Sequence, residues 1–412
     1  MKKSKHYACL PLLGLAVSFL IAGCAAKDAA IPESKNWYKG NLHTHSYWSD
    51  GDEFPEVIMR WYKENGYQFV ALSDHNIFQE GEKWVNIRQD SMYRNAFQNY
   101  LKDYGDSWVS YEENGDTLRV KLKTFAEYAP LYEEAERFLL LPAEEISAGY
   151  EGKPLHLNAT NLDQLIQPRE GGSVVEVLQN NINAVLEQRK ESGKPMIVHI
   201  NHPNFRWAIT LEDMIRLKGE RFFEVYNGHP AVNNLGDSTR IGYEEMWDFI
   251  NIAYLEKGQP LLFGLATDDS HSYHEQSSKL ANSGRGWVVV KAGELTAGAL
   301  IEALEMGDFY ASTGVELEEV HFADNQLEVR AKPKAGVSYT LEFIGCNTGE
   351  KETRVLKTVR GNAATFELEE DLLFVRCKIT SSEAQVNPVE NMPYQLAWTQ
   401  PVRPSDSEKE KP

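Results

Sequence analysis

Cysteine is scarce. The 412-residue chain holds four, too few for a disulfide framework. Cys9 and Cys24 sit near the N-terminus, which leaves Cys346 and Cys377 inside strand-like runs. Two readings stay open for that pair: one bridge, or two buried thiols. Basic residues are outnumbered, with 42 Lys and Arg against 61 Asp and Glu and a formal net charge of −19. That imbalance argues against broad nucleic-acid binding and against adhesion to anionic headgroups. A small phosphorylated substrate stays allowed, because bound cations reverse the local field. The apolar run Ala8–Ala22 falls short of the roughly 20 residues a spanning helix needs. The chain has no Gly-x-Ser-x-Gly nucleophile elbow and no internal repeat.

Lys2, Lys3 and Lys5 precede that run, which ends in Ile21-Ala22-Gly23-Cys24. The arrangement resembles a bacterial lipoprotein signal, with an ordinary secretory signal or an uncleaved helix as the competing readings. The resemblance implies cleavage after residue 23, lipid on Cys24 and a tether over residues 24–36. It implies an exported protein anchored to the membrane only through its lipid, facing the periplasm or the cell surface. Loss of residues 1–23 removes three lysines and no acid, taking the charge to −22.

From residue 37 to 314, short β-like runs alternate with helical stretches. Phe69–Leu72, Met196–Ile200 and Leu261–Leu265 read as strands; Val174–Ser192 and Tyr243–Lys257 read as helices. Alternation of this kind predicts an α/β region with a parallel sheet and crossover helices. Residues 77–137 break the rhythm and read as an insertion, with a hairpin at Glu113-Asn114-Gly115-Asp116. It either covers one side of the site mouth or is a peripheral elaboration. From 315 to 402 the runs are short, alternating and separated by Gly, Asn and Pro, which predicts a small all-β sandwich. Residues 403–412 read as a disordered polar tail.

The chemistry lies in separated blocks of histidine and carboxylate: His43-Thr44-His45 with Asp50, Ser73-Asp74-His75, Pro142-Ala143-Glu144-Glu145, His156, His202-Pro203 and Asp269-Ser270-His271. Most of these follow a β-like run, and alternation along an extended chain sets His43 and His45 on one face. Imidazole and carboxylate without thiolate suit Zn, Mn or Fe at an open, catalytic site. Glu144 rivals Glu145, and Asp268 rivals Asp269. Asp74 reads as support for its neighbours and Glu224 as a buttress for a ligand histidine. His199 reads as core or as support behind a ligand, on the face opposite His202. His229 follows a strand and is a candidate general acid. Arg206 in Asn204-Phe205-Arg206-Trp207 offers a planar clamp for a phosphate or carboxylate, or else a surface ion pair. Asn227 and Lys123 are weaker substrate candidates.

In order and residue type these blocks resemble the five motifs of the PHP family, named for polymerase and histidinol phosphatase. Gly307–Gly314 and Ala397-Trp398-Thr399-Gln400-Pro401 are similar to a subgroup that includes carbaryl hydrolases. The resemblance implies a distorted (β/α)7 barrel, here followed by the sandwich, with two or three divalent ions and a hydroxide bridging two of them. Carried over, His43, His45, Glu145 and Asp269 bind one metal. Glu145 bridges to a second held by His156 and His202, while Asp50, His75 and His271 hold a third. Asp50 stands where some members have His, and Ala143 where Gly is usual. The catalytic set is then His43, His45, Glu145, Asp269 and His229, with Arg206 and Asn227 on the substrate.

The implied activity is a metal-dependent hydrolase acting on a small molecule, in the first instance a phosphoester. A carboxyl ester, carbamate or amide on the same centre is the alternative. A non-catalytic binding lipoprotein is the reading from another class.

Overall fold

The computed structural model describes Met1 and residues 35–404. The signal-like segment, the lipidation candidate Cys24 and most of the tether and tail lie outside the described residues.

The strands of the first half are β1 (Asn36–Asn41), β2 (Phe69–Leu72), β3 (Trp84–Ile87), β4 (Tyr111–Asn114), β5 (Thr117–Lys121), β6 (Leu139–Tyr150), β7 (Lys153–Thr160), β8 (Ile197–Ile200), β9 (Phe222–Asn227) and β10 (Phe263–Thr267). The rest are β11 (Trp287–Ala292), β12 (Phe309–Ser312), β13 (Leu317–Ala323), β14 (Gln326–Ala331), β15 (Tyr339–Asn347), β16 (Arg354–Arg360), β17 (Ala363–Glu367), β18 (Leu372–Ala384) and β19 (Tyr394–Thr399). The helices are α1 (Pro55–Glu64), α2 (Ser91–Tyr104), α3 (Phe125–Tyr132), α4 (Val174–Ser192), α5 (Leu211–Met214), α6 (Tyr243–Glu256) and α7 (Ala297–Met306).

The fold is mixed α/β around one large sheet of 13 strands, ordered β10-β9-β8-β7-β6-β2-β1-β11-β12-β19-β18-β15-β16. The expectation of a wholly parallel sheet is corrected. β1, β2 and β6 are parallel, as are β8, β9 and β10, but β7 runs antiparallel to both of its neighbours. The cause is local: Glu151 and Gly152 both have positive φ, 48° and 79°. Two such residues make the tight turn whose twist suits a hairpin, so β6 returns directly as β7 without a crossover helix.

Helix ends follow their sequence signals. Ser173 caps α4 by accepting from the Glu176 N–H, and Gly193 closes it in a left-handed conformation. Thr296 and Gly307 do the same for α7. The buried faces of α4 and α6 pack Val177, Leu178, Ile182, Trp247 and Ile250 onto strands carrying Leu157, Val198, Phe223 and Val225.

The large sheet curls until β10 lies alongside β11 and β12. There the Gln400 amide accepts from the Gly264 N–H (2.8 Å) and donates to its carbonyl (2.9 Å), standing in for a missing neighbour strand. Residues 84–121 build a separate three-stranded sheet, β3-β5-β4, and Gly115 (φ 58°) turns the hairpin between β4 and β5. This sheet and α2 pack on Trp48 and Phe54, in the segment that follows His45.

The later strands share one apolar cluster across two layers. Leu327, Val329 and Ala331 of β14 meet Leu341, Phe343, Val375 and Ile379 of β15 and β18. Cys346 and Cys377 are both free thiols. Cys377 lies in that cluster, whereas Cys346 packs with Phe374 in a different one. Register explains the separation, because Phe343 faces Cys377 and Cys346 faces Phe374. Three positions along β15 separate Cys346 from the residue opposite Cys377, so the two side chains leave opposite faces. β18 is fastened to α6 by Arg376, whose Nε and Nη2 reach the Asp248 carboxylate at 2.7 and 2.9 Å.

Candidate metal centre

The ends of the parallel strands supply the site. His43 and His45 follow β1, His75 follows β2, His202 follows β8 and Asp269 follows β10, while Glu145 and His156 lie within the β6–β7 hairpin. Alternation along β6 settles the first rivalry. Glu145 faces the histidines, and the Glu144 carboxylate turns away to accept the Ile166 N–H at 2.7 Å. The second rivalry is settled by hydrogen bonds. Asp268 takes the Tyr62 hydroxyl and the backbone N–H groups of Gly284, Arg285 and Gly286, leaving Asp269 to the site.

Glu145 is the hub. It is fully buried, with His156 Nδ1 at 3.0 Å, His202 Nε2 at 3.4 Å and His43 Nε2 at 3.5 Å from Oε1. His75 Nδ1 and His45 Nε2 stand 2.8 and 3.3 Å from Oε2, yet that buried oxygen accepts no hydrogen bond. Asp269 Oδ1 lies 3.2 Å from His43 Nε2 and 3.3 Å from His45 Nε2. His202 and Asp269 both hold left-handed backbone, φ 27° and 49°. Strain of this kind in non-glycine residues persists where surrounding structure enforces it, and it clusters at functional sites.

A third pocket opens toward solvent. Asp50 lies 3.5 Å from His75 Nε2 and 3.4 Å from His271 Nε2, with its own side chain 56% exposed. His45 borders it, its Nδ1 3.4 Å from Ser49 Oγ, which donates to Asp74 at 2.6 Å. Asp74 also accepts from the Ser46 N–H and hydroxyl and from Gln79. Its hydrogen bonds therefore pin the turn after His45.

Behind the site, Glu224 accepts from His43 Nδ1 at 2.6 Å, which turns His43 Nε2 toward Glu145 and Asp269. It also takes the Thr267 hydroxyl, the His202 N–H and the Asn227 amide, each at 2.8 Å. His199 is fully buried behind it, Nε2 3.5 Å from Glu224. Asn227, a substrate candidate in the sequence, lies among the ligands. Its side chain is buried and donates to Glu224 and to Asp269 (3.1 Å), so it steadies ligands. Lys123 lies over Trp108 and donates to Glu127.

His229 stands at the rim, its ring 5.5 Å from that of His271. Its Nδ1 accepts the Ala231 N–H, and burial pulls its pKa down to about 4. The ring is therefore neutral near pH 7, and Nε2–H is its donor. Arg206 is exposed and left-handed (φ 50°), with its guanidinium over Phe205, whose ring packs on His202 at 5.2 Å.

These residues suit divalent cations. Burial would raise the Glu145 and Asp269 pKa values, yet the surrounding histidines hold both carboxyls well below the ordinary range. Burial would lower His43, but Asp269, Glu224 and Glu145 raise it well above the usual value. The pocket concentrates ionised carboxylates that protons on histidine must balance, and a cation would replace those protons. Ligand atoms of His43, His45 and Glu145, of His43, His202 and Asp269, of His75, Glu145 and His156, and of His45, Asp50, His75 and His271 each fall within 4.8 Å of one another. The buried Glu145 Oε2, facing two imidazoles without a hydrogen bond, has a lone pair free to ligate such a cation.

No family model matches the chain, and no curated protein does. Solved structures do. A two-domain protein from Bacteroides vulgatus, described as containing a predicted PHP-like metal-dependent phosphoesterase, aligns over 90% of this chain and 96% of its own at 15% identity and TM-score 0.40. A candidate metal-dependent phosphoesterase from Bifidobacterium adolescentis covers 57% of this chain and 88% of its own, at 13% identity and TM-score 0.27. An amidohydrolase from Chromobacterium violaceum, with bound sulfate and no metal, covers 57% and 87%, at 12% identity and TM-score 0.29. At these scores the functional reading rests on the site itself.

Proposed function

We propose that this chain is a metal-dependent hydrolase of PHP type, a phosphoesterase acting on a small anionic substrate. The supporting observation is the position of Glu145, one carboxylate with His43 and His45 on one side and His156 and His202 on the other, all within 3.5 Å of its oxygens. A shared carboxylate is what holds two cations together against their repulsion.

Bound divalent ions would supply Lewis acidity and a water of lowered pKa. His43, His45 and Asp269 would hold one ion, and His156 and His202 a second, with Glu145 common to both. Asp50, His75 and His271 would hold a third at the solvent side. Glu224 and Asn227 orient the ligands. His229 Nε2–H would give a proton to a departing oxygen, and Arg206 would pair with substrate anion at the mouth. In this reading residues 37–314 are a distorted (β/α)7 barrel with an inserted 77–137 segment, and residues 315–402 a sandwich. Residues 1–23 direct export, and Cys24 carries the lipid anchor.

The test is metal analysis and turnover on one sample of the chain lacking residues 1–24. Two or three zinc, manganese or iron ions per chain with metal-dependent phosphoester cleavage supports the proposal. Cleavage confined to carboxyl esters or amides replaces the bond. No metal after reconstitution sinks the catalytic reading.

A further inference from the structure

Arg285 lies just before β11 and is fully buried. Its charge is met by oxygens of neutral groups. Nε donates to the Asn387 carbonyl at 2.9 Å, Nη1 to the carbonyls of Gly228 (2.8 Å) and Leu280 (2.5 Å), and Nη2 to the Ser277 carbonyl (2.6 Å) and Asn387 Oδ1 (3.1 Å). A buried guanidinium that hydrogen-bonds no carboxylate is costly to keep charged; the Asp268 carboxylate takes the Arg285 backbone N–H instead.

Two of these acceptors, the Gly228 and Leu280 carbonyls, lie one residue from groups at the metal centre, and Asn387 reaches it through Asn282. Gly228 precedes His229. Leu280 precedes Ala281, whose carbonyl accepts the His271 N–H at 2.8 Å. The Arg285 N–H itself goes to Asp268, the residue before Asp269. Asn387 comes from residues 385–393, between β18 and β19, and its amide donates to Asn282 at 2.8 Å. Asn282 in turn donates to the Ser272 carbonyl at 2.7 Å, one residue after His271.

We propose that Arg285 is a positioning residue for His229 and His271, and that through it the loop between β18 and β19 is a working part of the metal centre. The inference rests on the hydrolase reading of that centre. A planar fork aimed at carbonyls from separate segments fixes their spacing, which the single ammonium of lysine cannot reproduce. The later strands thus reach the chemistry through one side chain, although none of the expected ligands lies beyond His271.

The experiment compares wild type with Asn387→Ala, Asn387→Asp and Arg285→Lys, each loaded with manganese. Asn387→Ala removes one acceptor and one donor but spares the other contacts of Arg285. Asn387→Asp keeps the acceptor. Asn387→Ala and Arg285→Lys are expected to speed amide hydrogen exchange at least tenfold in residues 228–232 and 271–283, with β1, β8 and β10 unchanged. On the ester that wild type cleaves, kcat falls at least tenfold with KM within twofold; Asn387→Asp, which keeps the acceptor for Arg285 but loses the donor to Asn282, restores slow exchange in residues 228–232. Unchanged exchange in those loops overturns the proposal. So does faster exchange across the whole sheet, which marks a merely structural role. Exchange is measurable without turnover, so failure of the hydrolase reading shows in the assay and failure of this proposal shows in the loops.

Discussion

Glu224→Gln should strip metal from the site without removing a single expected ligand. Four donors converge on the two Glu224 oxygens: His43 Nδ1 and the Thr267 hydroxyl on Oε1, the His202 N–H and the Asn227 amide on Oε2. A carboxylate accepts all four, but a glutamine amide has one oxygen and one NH2 group. Whichever way it turns, one pair of donors meets a donor. If NH2 faces His43, the ring must present a bare Nδ1, and its proton moves to Nε2, the atom that points at Glu145 and Asp269. If NH2 faces His202 and Asn227, two N–H groups are orphaned in a fully buried place. Loss of such support costs metal affinity about 10- to 100-fold, or about 1.4–2.7 kcal/mol. A chelator competition titration reads this directly, beside a melting curve of the metal-free chain. An affinity within twofold of wild type, in a folded variant, would refute the claim that Glu224 sets the His43 tautomer.

Arg376→Ala should destabilise the fold by about 3–5 kcal/mol in urea unfolding, because it leaves Asp248 buried without its partner; a change below 1 kcal/mol would deny that this pair fastens β18 to α6. Glu144 predicts a pH dependence of known sign. Burial raises its pKa from 4.5 to about 8, so the folded chain holds this proton more tightly than the unfolded one. Its stabilising contribution is complete below pH 4.5 and is lost as pH rises to 8, at up to about 1.4 kcal/mol per unit, and Glu144→Gln should flatten that slope. Metal uptake should release protons, because Glu145 and Asp50 raise His75 to about 11 against the lowering effect of burial, and carboxylates likewise raise His43. Apparent affinity must then climb with pH between 6 and 8, and calorimetry in buffers of different ionisation heat counts the protons. An affinity independent of pH would contradict the protonation pattern.

Much of the centre was legible because its residues follow strands directly, and strand ends are where a curled sheet gathers side chains. Glu145 over Glu144 is a matter of alternation along β6, and His199 away from His202 likewise. The antiparallel β7 was less visible, since a Glu-Gly pair is a modest turn signal beside a strong strand–helix rhythm. What the sequence hides are partners far apart in the chain. Nothing local announces that Arg285 meets Asn387, that Arg376 meets Asp248, or that Gln400 meets Gly264. Asn227 reads as a weak substrate candidate, and only the position of Glu224 three residues earlier, at the end of the same strand, shows why it turns toward the ligands.

The pairing of Gln400 with Gly264 bears on synthesis. β10 brings Asp269 into place, yet the Gly264 N–H and carbonyl on its open edge wait for Gln400, 136 positions later. A nascent chain has made every expected ligand by His271 but cannot seal the sheet until nearly all of it has left the ribosome. In that interval an unpaired strand edge stands open to other chains. Early termination just before Gln400 would therefore yield a chain that holds all the ligand residues and is prone to stick to its neighbours.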